Sequence, residues 1–223
     1  VRKPKRLSAD QLAAYVVELP GARPSCRPGD APPPAPLDWP TLFGNPNPVE
    51  VEVGFGKGLF LVNAGMSRPD RNFFGVEIVR KYQLYAAARI ASRRLPNVKT
   101  CCADAKAVLR AYIPAGSVAV VHVFFPDPWW KTRHKKRLLF TPEFAADVAR
   151  VLVPGGHLHF VTDVADYFAM VTGVLQAMPA FRELPPPVAN VPAHDMDYLT
   201  NFERKFRKEG RPIHRARYQR AEA

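Results

Sequence analysis

The stretch that decides the fold reads Val49-Glu50-Val51-Glu52-Val53-Gly54-Phe55-Gly56-Lys57-Gly58 and runs into an apolar segment over residues 59–66. Valine alternating with glutamate has the period of a strand. Three glycines at every second position call for a tight turn, and the apolar segment suits a helix. Strand, glycine turn and helix open a parallel α/β sheet. Working outward, residues 73–77 predict a second strand. Residues 79–94 predict a helix whose apolar stripe is Tyr82, Ala86, Ile90 and the stem of Arg89. A third strand is expected over 98–102, a short helix over 106–112, and a buried, valine-rich fourth strand over 118–125. Thr141 as N-cap and Pro142 in the first turn predict a helix burying Phe144, Val148, Val151 and Leu152, stopped by Pro154-Gly155-Gly156. Residues 157–162 then read as a fifth strand. The succession predicts an α/β, doubly wound, Rossmann-like sheet with helices on both faces.

The flanks have a different texture. A short helix is expected over 12–19, and residues 20–48, with Pro32-Pro33-Pro34, read as an extended arm because proline removes backbone donors and breaks helices. The expected organisation is thus a basic, proline-rich N-terminal arm over 1–48 and one domain over 49–223. That domain includes a basic C-terminal segment, 185–223, in which residues 213–218 alternate like a last strand. A length of 223 residues suits a single α/β domain with appendages.

Lys and Arg number 32 against 20 Asp and Glu, a net charge of +12 that favours a polyanionic partner, nucleic acid before an acidic protein. The three cysteines, Cys26, Cys101 and Cys102, lack zinc-site spacing and read as free thiols. With the histidines scattered, no metal is expected. The longest apolar run, 118–125, is too short for a bilayer and the basic start has no signal-peptide core, so no membrane contact and a cytoplasmic location are expected.

In an open parallel sheet, ligands sit outside the carboxyl ends of the strands. Gly54, Gly56 and Gly58 let the backbone approach a ligand there. The spacing G-x-G-x-G is not the dinucleotide pattern, and Glu52 repels phosphate but accepts from an ammonium, which favours S-adenosylmethionine over NAD. Glu77, at the end of the second strand, is placed to accept both hydroxyls of a ribose. Asp104, after the third, is placed to accept from the amine of adenine, with Ala105 against the ring, and equally to cap the helix that follows. Beyond the fourth strand comes Phe124-Phe125-Pro126-Asp127-Pro128-Trp129-Trp130-Lys131, in which two prolines fix Asp127 beside aromatic faces on which a base can stack. Arg133, His134, Lys135, Lys136 and Arg137 follow as a cationic run suited to phosphates. Asp163, after the fifth strand, and Thr200-Asn201-Phe202-Glu203 add polar groups able to close over a base.

With these residues assembled, the sequence resembles the bacterial tRNA (guanine-N7)-methyltransferase family, whose members modify a guanine in the variable region of tRNA. The resemblance covers residues 49–220. It rests on the stretch 51–58, Phe74-Gly75-Val76-Glu77, the proline–aspartate–proline–tryptophan block with its basic sequel, and Thr200-Asn201-Phe202-Glu203. It implies a class I methyltransferase fold, S-adenosyl-L-methionine as cofactor and tRNA as partner. Glu52, Glu77, Asp104 and Asp127 become the acids of the cofactor site, with Asp127 also the catalytic candidate. Lys131, Asp163, Thr200 and Glu203 match substrate-binding positions. Two departures are Trp130, where many relatives carry histidine or another residue, and the proline-rich arm, for which no counterpart is recognised.

The expected reaction is in-line attack of guanine N7 on the sulfonium methyl. N7 has a lone pair available, so the protein works by positioning and by placing negative charge near the purine. The alternatives are an amino-group methyltransferase of adenine or cytosine, whose usual pattern has two adjacent prolines, and a non-enzymatic RNA-binding module, which gives no reason for the three acids at one sheet edge. A monomer is the expected state.

Overall fold

A computed structural model describes residues 7–22, 34–129, 138–187 and 198–222, so Cys26 and the basic run 131–137 lie outside the described part. The chain divides into two units, Val1–Pro114 and Ala115–Ala223.

The N-terminal unit contains α1 (Ala9–Ala13), β1 (Val16–Val17), α2 (Trp39–Phe43), β2 (Val49–Val53), α3 (Leu59–Ser67), β3 (Asn72–Glu77), α4 (Arg80–Ser92), β4 (Val98–Cys102) and α5 (Ala105–Ala111). Its strands run in the order β1-β4-β3-β2, all parallel. Successive side chains of a strand point to opposite faces. Phe73 meets Phe60 of α3 edge-on, with ring centroids 6.4 Å apart, while Phe74 meets Trp39 of α2 at 5.4 Å. Both faces are therefore covered, and the valine–glutamate alternation of β2 marks no solvent side. Glu50 and Glu52 are only 3% and 2% exposed. Glu50 accepts from Arg68 Nη1 at 2.7 Å, so its charge is paired.

Three expectations change here. The helix expected over 12–19 is instead α1, capped by Ser8, after which the β-branched pair Val16 and Val17 extends and pairs with Thr100 and Cys101. The described part of the proline-rich arm is not uniformly extended. Pro40 sits in the first turn of α2, where its missing N–H costs nothing, and Gly44 at φ +72 ends the helix. Leu37 N donates to Tyr112 O at 2.7 Å and fastens the segment to the end of α5. In α4 the buried arc contains Ala86, Arg89 and Ile90 as expected, but Tyr82 is 39% exposed. Gln83 turns inward instead and donates to Thr100 Oγ1 at 3.3 Å.

The C-terminal unit contains β5 (Val118–Phe124), α6 (Pro142–Val151), β6 (Leu152–Thr162), α7 (Ala165–Gln176), β7 (Phe181–Leu184), α8 (Asn201–Lys208) and β8 (His214–Arg220). The order is β5-β6-β8-β7, with β5 and β6 parallel and β8 antiparallel to both neighbours. Thr141 caps α6 as expected, its hydroxyl accepting from Phe144 N. Leu152, expected in the helix, begins β6. Pro154-Gly155-Gly156 lies inside that strand, where the register against β5 shifts between Val118 and Val120, a bulge that takes up the glycines. The core gathers around Phe160, whose ring packs on Tyr167 and Phe168 of α7 and on Phe140. Neither α7 nor β7 was anticipated, although Tyr167, Val171 and Leu175 stand at helical spacing on the buried side. Among the described residues Cys101 is a buried free thiol, and no helix is long and apolar enough to cross a membrane.

Because Trp39 packs against β3, Trp39→Ala is expected to lower unfolding free energy by about 3–5 kcal/mol. Met66→Ala, at a side chain 58% exposed, should change it by less than about 0.5 kcal/mol. Urea denaturation of both variants checks this, and equal small losses would mean that α2 contributes nothing to the core.

Candidate active site

The glycine turn is built by opposing demands on one short segment. Gly54, Gly56 and Gly58 all have positive φ, at 75°, 54° and 67°, which residues with a Cβ adopt only under strain. At Gly54 a Cβ would meet nothing within 4 Å, so this part of the turn faces open space. At Gly58 it would come within 2.7 Å of Ala86 Cβ on α4, and at Gly75 within 2.5 Å of Leu61 in α3. The turn is thus open where a ligand would approach and close-packed behind.

Glu77, 7% exposed, ends β3 with both carboxylate oxygens engaged. Gly56 N donates to Oε2 at 2.8 Å and Val79 N to Oε1 at 2.9 Å. These bonds fix the carboxylate against the turn. Ile78 and Val79 beside it are 55% and 41% exposed, apolar surface of the sort that suits a flat ring. The neighbouring Glu52 is different. Its Oε2 has no hydrogen-bond partner among the described residues. Burial first, and the Glu77 carboxylate second, push its carboxyl well above the ordinary carboxylate range. An orphaned buried acceptor beside an open glycine turn is what a cationic aminoacyl group would complete, so the residues present fit S-adenosylmethionine. Asp104 is half-buried, and one oxygen accepts from Lys106 N at 2.9 Å, so the capping role is the one observed.

In the C-terminal unit β5 stops one residue earlier than expected. Phe125 takes φ +51, a conformation rare for an aromatic residue, while its N–H still donates to Val161 O at 2.7 Å. Trp129 has φ +42. Between these two bends Asp127 is exposed, flanked by Pro126 and Pro128. Tyr167 is pushed up to about 12, mainly by burial, with the Phe140 backbone lowering it and the Asp127 charge raising it. Phe125 also receives α8, its ring lying 5.4 Å from Phe206 and 6.4 Å from Phe202.

The segment Thr200-Asn201-Phe202-Glu203 forms the start of α8. Thr200 Oγ1 accepts from Glu203 N at 3.0 Å, as an N-cap does. Glu203, 3% exposed, accepts from Leu199 N at 2.7 Å, Arg207 at 2.9 Å and Arg215 of β8 at 2.5 Å. Asp163 forms an ion pair with Arg211, whose guanidinium sits 4.3 Å over the Phe206 ring. Three residues expected to reach substrate, Asp163, Thr200 and Glu203, are thus held in internal bonds. Phe202, 48% exposed, presents an open aromatic surface on the same helix, and Asn201 is half-buried. Lys131, Arg133, His134, Lys135, Lys136 and Arg137 fall outside the described residues. The sequence reading missed Arg207, Arg211 and Arg215 as partners of the acids. The only signal was a basic tail, which does not say which cation meets which carboxylate. No cluster of three or more metal-ligating side chains occurs among the described residues.

Glu52 makes stability depend on pH with a definite sign. Its native carboxyl holds a proton at pH values where the unfolded chain has already lost it, so the cofactor-free protein should weaken as pH rises above the ordinary carboxylate range. A single such proton contributes a slope of up to about 1.4 kcal/mol per pH unit. Glu52→Gln should flatten the slope in denaturant melts above that range. An unchanged slope would show that Glu52 does not titrate there.

Residues 46–216 match a family model described as "Putative methyltransferase". The chain is 43% identical over 191 residues to a tRNA (guanine-N(7)-)-methyltransferase of Rhodopirellula baltica, covering 83% of this chain and 70% of that protein. It is 37% identical over 224 residues to the enzyme of the same name from Alkalilimnicola ehrlichii, covering 100% and 92%. Among solved structures it resembles a SAM-dependent methyltransferase from Aquifex aeolicus with a TM-score of 0.54 at 13% identity, over 78% of this chain and 82% of that one. That likeness shows the Rossmann-like methyltransferase fold. On the two sequence matches, which span most of both proteins, the chain belongs to the tRNA (guanine-N7)-methyltransferase family.

Proposed function

We propose that the protein transfers a methyl group from S-adenosylmethionine to N7 of a guanine in tRNA, in the variable region as in the family it belongs to. The observation that carries the reading is Asp127, an exposed carboxylate held between two prolines and two residues of positive φ, in a chain of this family. S-adenosylmethionine supplies an electrophilic methyl on a sulfonium, and its transfer leaves S-adenosylhomocysteine and N7-methylguanosine.

The protein's own residues have separate tasks. Glu52 receives the ammonium, Gly54, Gly56 and Gly58 admit the ligand to the backbone, Glu77 accepts from the ribose hydroxyls and Asp104 from the adenine edge. Asp127 contacts the cofactor and places fixed negative charge where the purine turns cationic, which requires no proton transfer because N7 begins with its lone pair. Lys131, Arg133, His134, Lys135, Lys136 and Arg137 meet phosphates. Asn201 and Phe202 line the base, while Asp163, Thr200 and Glu203 present the helix that carries them. The organisation proposed is a catalytic domain over 49–223 with its docking segment at 185–223, active as a monomer in the cytoplasm.

Incubation with labelled S-adenosylmethionine and unmodified tRNA, digestion and nucleoside mass spectrometry should yield N7-methylguanosine, whereas a base methylated on its amino group would overturn the assignment. Asp127→Asn should lower kcat by roughly a hundredfold or more, and near-normal turnover would remove Asp127 from the chemistry. Replacing Lys135 and Lys136 by alanine should make log affinity fall less steeply with log salt, by about one unit of slope for each phosphate no longer neutralised. A slope equal to that of the parent protein would place tRNA docking elsewhere.

A further inference from the structure

The turn 54–58 is braced from behind by one face of α4. Ala86, fully buried, leaves no room for a side chain at Gly58. Three residues further along the same face, Arg89, 6% exposed, donates from Nη1 to the Lys57 carbonyl at 2.9 Å. Both interactions act on the same peptide, Lys57–Gly58. The other pole of that peptide is also fixed, since Gly58 N donates to Phe55 O at 2.9 Å.

The need for an outside brace follows from the sequence of the turn. Lys57 stands between two glycines, and glycine tolerates so much of backbone space that the peptides around it have little to keep them in one orientation. An arginine on a helix face shared with alanine and isoleucine is costly to bury, because its charge cannot be discharged by losing a proton. A leucine would fill such a position without that cost, and what the guanidinium adds at the turn is its bond to the Lys57 carbonyl.

We propose that Arg89 is a positioning residue for cofactor binding. It sets the Lys57–Gly58 peptide, and through it the shape of the turn and the start of α3, before the ligand arrives. Arg89 acts through the Lys57 carbonyl rather than on the reacting atoms. The inference rests on the reading of turn 54–58 as the cofactor seat.

The test uses Arg89→Met and Arg89→Lys in the full chain, with Glu77→Gln as comparator. Calorimetric titration with S-adenosylhomocysteine should show a Kd raised roughly tenfold or more in Arg89→Met. The KM for S-adenosylmethionine should rise in parallel, while kcat at saturating cofactor and the KM for tRNA stay within about twofold. Arg89→Lys should fall between parent and methionine variant, because one ammonium does not reproduce the planar, multi-donor guanidinium. Without cofactor, the amides of residues 56–59 should exchange hydrogen faster in both variants, and saturation with S-adenosylhomocysteine should remove the difference. If Arg89→Met does not fold, the same titration and exchange on Arg89→Lys decide. Cofactor affinity and exchange like the parent's, with Glu77→Gln weakened, would overturn the role of Arg89 and leave the turn as the seat. Full cofactor affinity in Glu77→Gln would overturn the seat itself. A fall in kcat with cofactor KM unchanged would also exclude positioning.

Discussion

The approach of α4 to the glycine turn is the constraint on which the N-terminal unit depends. Gly58 has no space for a Cβ because Ala86 is already there, and Gly75 has none because Leu61 is. These two close approaches bring α3 and α4 against the ends of β2 and β3. Only then can Gly56 N reach the Glu77 carboxylate 21 residues further along the chain. Were Gly58 larger, α4 would have to stand off from the turn, because the atoms it would meet are Cβ and Cα of Ala86.

The C-terminal unit reaches a comparable rigidity by charge. Glu203 ties the first turn of α8 to Arg207 within the helix and to Arg215 on β8, and Asp163 ties the end of β6 to Arg211. Hydrogen bonds from several donors onto one buried carboxylate are short and directional, so they fix the roll of a two-turn helix that buries little apolar surface of its own. Rolling α8 would move Phe202 and Phe206 off Phe125. The acids of this segment therefore serve the aromatic surface beside them.

Much of this was legible in the sequence because it is written locally. The β2 alternation, the glycine turn, the Thr141–Pro142 helix start and the last strand each depend on neighbours in the chain, and each is found within a residue or two of the place expected. The residues missed depend on partners far away. Nothing near Val16 announces that it will pair with Thr100, and within a segment whose prolines read as helix breakers Pro40 stands in the first turn of α2, where proline starts a helix. Arg89 was read as a buried stem, which is correct, but only the fold reveals the Lys57 carbonyl at its tip. The acids were easier to find than their partners, since a carboxylate after a strand is conspicuous and one arginine among many in a basic tail is not.

The pairing of β1 with β4 bears on solubility. A strand at the border of a sheet offers a row of unpaired amides and carbonyls to any other extended chain. Residues 16–17 cover part of that row on β4, and Lys99, whose ammonium reaches Ala14 O at 2.6 Å, places a positive charge on the same border. β1, unlike its partner β4, lies outside the residues 46–216 that carry the family match. It guards a frontier of the sheet that the family-matched part of the chain would otherwise leave open to association between copies.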